Sequence, residues 1–524
     1  MKNLTKLLAL VLACVLLATC FIACGDTTDN GGTTTNPPTT NKPDTSDSSS
    51  TGSSTDGRYD ASFDRNSVAD GVPTDLSFTG ETVTFFTRND NELWQFEMDV
   101  DTVMNDTLYD AIYYRNKTVE ERLGITIDTI QQAGNYTNRL TWNDTLRTAV
   151  NTKTGDFDAA AIYTSQGSVL AVEGLYYNVI DFPHIDLEKP WWNQNIQSEL
   201  TMFDTLYYLS GDIAATEMTE TFCLIYNKNL YDKYYGSTGT SIYDIVNNKE
   251  WTIGYMYDLV AGAYEDTNGD GVVSDGDVVG LTSTAPDYSQ SWFEAWIPAL
   301  GISYTTMNHG IPELSFYSER TVGAFEQLGR LIASNPGTLA KNELVETKFV
   351  DGKALFGMTN LNAGSGLRDM KDAYGVLPLP MLNEEQGEYR TSFGNVASLV
   401  TILSSLPNDR KELVGATLEL MAAESYKQVT PAYFEIAVKT KYAESPEDAQ
   451  IYDLILNATT FSFGACYGTE SIKGAGNQNP ITVLFRRVDR DLVQLWEENV
   501  EAYEQSLEKL INGLDEAAFN AMMG

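Results

Sequence analysis

Hydrophobic and polar positions change period repeatedly along this chain. Glu81 to Arg88 alternates apolar and polar side chains and is rich in β-branched and aromatic residues, the period of a strand. Between Thr107 and Leu123 the apolar residues Leu108, Ile112, Val119 and Leu123 fall at helical spacing, and Gly124 supplies a stop. Ile125 to Ile130 reads as a strand, Asn143 to Val150 as a helix and Asp156 to Tyr163 as a buried strand. This alternation predicts a parallel or mixed α/β sheet. Pro190-Trp191-Trp192-Asn193 predicts a helix start, with the two indoles about 100° apart, so that one is core and the other exposed. Leu206 to Asp212 and Glu220 to Tyr226 read as strands, and Asn227 to Tyr374 as a mostly helical unit. Gly375 to Pro380 is short and extended, and Asn395 to Ser404 is apolar and strand-like. A last helix from Ile481 to Leu514 carries Leu484, Val488, Leu492, Leu495, Val500, Leu507 and Ile511 along one core-facing side.

The N-terminus has a different pattern. Lys2 and Lys6 precede the apolar run Leu7 to Leu17, and small Ala23 stands before Cys24, the layout of a secretory signal. It resembles the bacterial lipoprotein version. That resemblance implies cleavage before Cys24, lipidation of that cysteine and an anchor on the extracellular face of the cell membrane. Phe21 stands where that pattern most often has Leu, and Cys20 is a poorer second candidate. The apolar run falls short of the roughly 20 residues that span a bilayer. Gly25 to Gly57 contains no aromatic or aliphatic side chain, so it cannot bury a core and reads as a disordered tether.

Composition narrows the function. With 524 residues, of which 42% are hydrophobic, the chain can build two or more domains with a large core. Seventy-three acidic against 34 basic residues give a net charge of −39, spread evenly, which reads as a solvated surface. Nucleic acid is excluded as a partner, because a phosphate-binding face needs clustered Lys and Arg. Of five cysteines only Cys223 and Cys466 lie beyond the signal, too few for a disulfide framework, and Cys223 in an apolar run reads as a small core residue. The two histidines, His184 and His309, sit in no catalytic or zinc-binding context.

Asp266 to Asp277 matches the twelve-position calcium loop. Asp266, Asn268 and Asp270 stand at positions one, three and five, Gly271 at six, the Val272 carbonyl at seven, Ser274 at nine and Asp277 at twelve. Asp277 departs from the usual bidentate Glu, so a structural Ca2+ of lowered affinity is expected.

Tyr226-Asn227-Lys228-Asn229-Leu230, at the end of a strand, resembles the hallmark of the extracellular solute-binding proteins of bacterial ABC importers, in the carbohydrate-binding (family 1-like) branch. Gly155-Asp156-Phe157-Asp158, Glu250-Trp251-Thr252, Phe349 to Phe356, Leu367 to Met370 with Tyr374 to Pro380, and Thr430 to Tyr433 resemble further family segments in the same order. The resemblance spans Glu81 to the C-terminus. It implies a type II periplasmic-binding-protein-like α/β fold of two hinge-linked lobes. Lobe 1 would be 75–223 and 375–440; lobe 2 would be 224–374 and 441–524, carrying the calcium loop. It also implies a monomer that binds a sugar or oligosaccharide in its cleft, delivers it to an ABC transporter permease and catalyses nothing. The implied ligand-binding residues are Arg88, Asn89, Asp90, Tyr163, Gln166, Glu220, Trp292, Asn360 and Asn362, with Thr359 beside them and Trp191, Trp251 and Trp296 as next candidates. Such residues suit a pyranose: aromatic faces cover its C–H faces, and Asp, Asn, Gln and Arg answer its hydroxyls. The rival reading is a surface glycoside hydrolase working through paired carboxylates.

Overall fold

The computed structural model describes residues 64–284, 290–341, 345–367, 369–433, 445–467 and 491–523. The signal, the tether and the first part of the expected C-terminal helix lie outside these residues.

In chain order the strands are β1 (Thr82–Arg88), β2 (Thr126–Gln132), β3 (Ala159–Tyr163), β4 (Phe222–Asn227), β5 (Val279–Thr284), β6 (Thr305–Asn308), β7 (Ile311–Leu314), β8 (Thr338–Lys341), β9 (Ala354–Asn360), β10 (Tyr374–Leu377) and β11 (Ser398–Ile402). They form a sheet of order β11-β3-β1-β2, a second sheet of order β10-β4-β9-β5-β8 and the hairpin β6–β7. In the first sheet β1 is parallel to β2 and β3, while β11 is antiparallel to β3. Val83, Phe85 and Phe86 of β1 are all buried, so both faces of this sheet are covered, as parallel sheets require.

The helix Thr107–Leu123 shows how local signals set the boundaries. The Asp106 carboxylate accepts from the Leu108 and Tyr109 amides at its start, and Gly124 ends it at φ 71°, donating to the Glu120 carbonyl. Such a side-chain cap contributes about 1 kcal/mol, and the left-handed end favours glycine. Observed and expected ends coincide because both caps are written in the sequence.

Elsewhere tertiary packing overrides the local pattern. The helix after the Trp pair begins only at Gln194, capped by the Asn193 side chain. Trp191 and Trp192 precede it and are both fully buried, because both indole N–H groups donate to Glu419, at 3.1 and 3.0 Å. The expected split of one core and one exposed indole is therefore wrong. The stretch 206–212 is not a strand; it lies against β11 through the bridge Leu209–Val400. Cys223 and Cys466 are both buried, in keeping with a core role for Cys223.

Each sheet has its own hydrophobic core, which revises the expected lobe boundaries. β10 pairs with β4, and Leu379, Met381 and Tyr389 pack in the second core, so the chain returns to the first lobe near Phe393 rather than at 375. Phe461, Phe463, Cys466 and Tyr467 pack in the first core although they fall within the 441–524 assigned to the second lobe. The helix Leu492–Met523 serves both, with Leu495 and Tyr503 in the second core and Leu507, Leu510 and Leu514 in the first. Three extended segments cross side by side between the lobes: Thr221 bridges Phe393, and Thr391 bridges Thr459. Few and adjacent crossings of this kind make a hinge.

Candidate functional site

The C-terminal ends of β1 and β3 and the first crossing segment bring polar groups from both lobes together. Ligand sites of open α/β sheets lie at the carboxyl ends of the strands. Arg88 ends β1. Its side chain is buried and donates through Nη2 to the Val396 carbonyl and the Ser398 hydroxyl, each at 2.8 Å. Its guanidinium carbon lies 4.3 Å from the Trp94 ring centre and 5.2 Å from that of Tyr163. Burial pulls the guanidinium down to about 10, while Glu97, Tyr163, Asp90 and Glu220 oppose that fall, so Arg88 stays cationic at neutral pH. A cation between two aromatic faces gains attraction that hydrogen bonds alone do not supply.

Behind Arg88 sits Glu97, fully buried, accepting from the Thr216 backbone N–H at 2.8 Å and from the Thr216 hydroxyl. Burial raises its carboxyl, with Ser398, Thr216 and Arg88 pulling the other way. Thr216 in turn accepts from the Ser398 amide at 2.9 Å. Thr216 belongs to the short helix Ala215–Thr219, which runs directly into Glu220 and the first crossing. The cleft arginine and the hinge therefore share one hydrogen-bonded network.

Glu220 accepts from Asn360 Nδ2 at 2.9 Å, joining the first crossing to the end of β9 in the second lobe. Burial pushes its carboxyl up to about 7; the Asn360 hydrogen bond and Arg88 lower it, and Glu97 adds to the rise. Asp90 accepts from the Gly134 amide at 2.6 Å. A side chain at 134 would collide with Arg88 and Trp142 at 2.7 Å, so glycine is what lets this loop close over β1. Gln166 accepts from Arg139 Nε at 2.9 Å, and Arg139 lies 3.8 Å over the Tyr136 ring. Burial raises the Tyr163 hydroxyl. Its electrostatic neighbours include Arg88, Tyr136 and Arg139 from the first lobe and Glu294 from the second. Trp292, half-buried in the helix Gln290–Glu294, sets its ring edge-on to Phe222 at 5.5 Å, beside the crossing.

Of the residues expected from sequence, the structure brings Arg88, Asp90, Tyr163, Gln166, Glu220 and Asn360 to the lobe junction, with Trp292 at its edge. Asn89 is exposed at the strand end, and Asn362 is exposed beyond β9. Trp191, Trp251 and Trp296 pack within the hydrophobic cores, and Thr359 is buried on β9 beside Asn360. Sequence reasoning missed Trp94, Glu97, Tyr136, Arg139, Thr216 and Ser398. The Asn91 cap before Trp94 was the one local sign of a helix there.

The 266–277 loop keeps its donors to itself. Asp266 accepts from the Gly269 and Gly271 amides, and Asp270 from the Val272 amide and Asn268. Both oxygens of buried Asp277 are taken by the amides and hydroxyls of Thr267 and Ser274. Lys348 donates to the carbonyls of Ser274, Asp275 and Asp277. Among the described residues no three His, Cys, Asp or Glu side chains converge as metal ligands. Asp266, Asn268, Asp270 and Val272 are at least partly exposed, whereas Asp277 is buried and clamped within the loop.

No family model and no curated protein matches the sequence. Solved structures do. A cyclo/maltodextrin-binding protein in complex with maltotetraose aligns at 14% identity and a TM-score of 0.51, over 84% of this chain and 98% of its own. The GacH receptor of Streptomyces glaucescens, solved unliganded and in complex with acarbose, aligns at 13% identity and a TM-score of 0.52, over 82% of this chain and 99% of its own. At such identities the likeness is one of architecture: this chain has the two-lobed, hinge-linked α/β fold of those binding proteins.

Proposed function

We propose that this chain captures an oligosaccharide between its lobes and hands it to the permease of an ABC importer, without catalysing a reaction. The observation that carries this reading is the lobe junction itself. Carboxylates, amides, guanidinium groups and half-buried rings from both lobes meet beside three crossing segments. Aromatic faces and polar groups in one water-excluding cleft are what a sugar needs. The fold shared with a maltodextrin-binding protein and an acarbose receptor supports the same ligand class.

The hydrolase alternative needs two carboxylates that both reach the glycosidic bond. Glu220 and Glu97 are electrostatic neighbours, but Glu97 is wholly buried and held by Thr216. That burial favours binding over hydrolysis.

The remaining parts of the proposal rest on sequence. Cys24 carries lipid and the 25–57 tether holds the lobes off the membrane; among the described residues no helix is long and apolar enough to cross one. The 266–277 loop takes Ca2+ through Asp266, Asn268, Asp270 and the Val272 carbonyl. Gly271 at φ 74° supports the sharp turn such a loop needs.

The deciding experiment is a thermal-shift screen of the mature protein against a glycan panel, with small-angle scattering on any hit. A ligand at 100 times its Kd should add about 2.7 kcal/mol of stability, and hinge closure should lower the radius of gyration. New reducing ends would instead establish hydrolysis. No shift with any glycan would refute the carbohydrate reading.

A further inference from the structure

The helix Leu492–Met523 belongs to neither lobe alone. Its 32 residues span about 48 Å at about 1.5 Å each. Near its start Leu492, Leu495 and Tyr503 are buried in the second core, and the Trp496 ring stacks on Tyr317 at 5.4 Å and 11°. Further on Leu507, Leu510 and Leu514 are buried in the first core. Gly513 secures that second attachment. Glycine inside a helix is destabilising relative to alanine, but a Cβ at 513 would overlap the Val172 side chain of the first lobe, so glycine is what permits the close approach. The helix passes from one lobe to the other between Tyr503 and Leu507 without a break.

The β6–β7 hairpin joins the lobes on the same side. It leaves the second core, where Tyr304 and Phe316 are buried, and the helix packs along β7. Met307 of β6 packs against the first core, and Leu314 of β7 against both. At the tip the Gly310 carbonyl accepts from the Phe203 amide of the first lobe at 3.3 Å. Phe203, Asp204 and His309 hold left-handed backbone there, at φ 51°, 54° and 51°. A bulky residue in that region is strained and persists only where its surroundings hold it. These contacts are separate from the three crossing segments. The lobes therefore turn about the crossings only if the helix bends or one of its ends leaves its core.

We propose that this helix is a brace that limits how far the cleft opens, bending in the turn between Tyr503 and Leu507 while both its ends stay packed. Ser506 Oγ donates to the Tyr503 carbonyl at 3.0 Å inside that turn, and a side chain bonded to a helix carbonyl favours such a bend. The stiffness of one helical turn then sets the opening of the ligand-free protein. A wider opening leaves less of the closed form populated and weakens capture of any ligand. This inference rests on the two-lobed, hinge-linked fold and not on the identity of the ligand.

The test is small-angle scattering of the ligand-free mature protein. Glu504 and Gln505 are exposed and lie in the turn between the two attachments. Glu504→Gly with Gln505→Gly softens the helix there and removes no core contact. The single Gln505→Gly, which perturbs folding less, gives the same reading should the pair not fold. Either Gly variant should show a larger radius of gyration than wild type, and Glu504→Ala with Gln505→Ala should match wild type. Val172→Cys with Gly513→Cys, whose Cβ atoms would stand 3.7 Å apart, pins the far end of the helix by a disulfide. The larger radius of the Gly variants should persist with that bond formed. Gly variants that scatter as wild type does, or an Ala pair that expands as much as the Gly pair, overturn the brace. A larger radius that vanishes when the disulfide forms shows an end that has come loose rather than a helix that bends, and overturns it as well.

Discussion

Glu220 is the group through which pH should reach the cleft. Its carboxylate takes the Asn360 amide at 2.9 Å and faces Arg88 from β1, Glu97 from behind and the Tyr433 hydroxyl from the second lobe. Burial pushes it up to about 7, so near neutral pH it is close to half ionised. The ionised form accepts hydrogen bonds from sugar hydroxyls, and the neutral form gives up part of that capacity. One unit below the pKa about a tenth of the groups are ionised, and one unit above about nine-tenths, so affinity should rise about tenfold from about pH 6 to about pH 8. Binding near pH 7 should release a fraction of a proton. Folding responds in the opposite sense. The folded value lies above the unfolded one, so the unfolded chain gives up its proton first, and stability falls as pH rises from about 4.3 to about 7, then levels. The upper bound on that loss is about 4 kcal/mol. Glu220→Gln keeps the shape and removes the titration. Calorimetric titration of sugar in two buffers of different ionisation enthalpy, across this pH range, measures both affinity and proton release. Equal wild-type affinity at both ends of the range, or a Glu220→Gln variant that keeps the wild-type profile, would refute the reasoning.

Three further outcomes are expected. Glu419→Ala leaves two buried indole N–H groups and the Asp186 amide without their acceptor and should cost about 3 kcal/mol or more in urea unfolding; a loss under about 1 kcal/mol would show that water or a neighbour replaces it. Replacing Asp266 and Asp270 together by Ala should abolish any lowering of the melting temperature by chelator. A wild-type melting curve indifferent to both chelator and added calcium would count against the calcium loop. Cys24→Ala should abolish acyl labelling in cells, and retained label that disappears in Cys20→Ala would move the anchor to Cys20.

What the sequence made legible follows the range of the forces involved. The helix Thr107–Leu123 was readable to its last residue because its period, its Asp106 cap and its Gly124 stop all lie within the segment. The strand ends that carry Arg88 and Tyr163 were readable for the same reason. The Trp pair misled because its partner, Glu419, lies 228 and 227 residues away, and an acceptor so distant leaves no trace in local spacing. The return to the first lobe was misplaced because Tyr374 to Leu377 is as apolar as a strand of either sheet; only pairing with β4 decides the matter.

The same argument explains the missing half of the cleft. Arg88 meets Ser398 across 310 positions, and Glu97 meets Thr216 across 119. Neither pair shares an element, so no periodicity could propose them. Their arrangement nonetheless has a physical consequence that single residues do not. Glu97 holds the helix Ala215–Thr219, which leads into Glu220 at the hinge, and Ser398 links that helix to the cleft arginine. A buried charge is costly to leave unmatched, so a change in the surroundings of Arg88 bears directly on the segment that turns between the lobes. The link between Arg88 and the hinge segment thus resides in a network assembled by the fold from chain segments far apart in sequence.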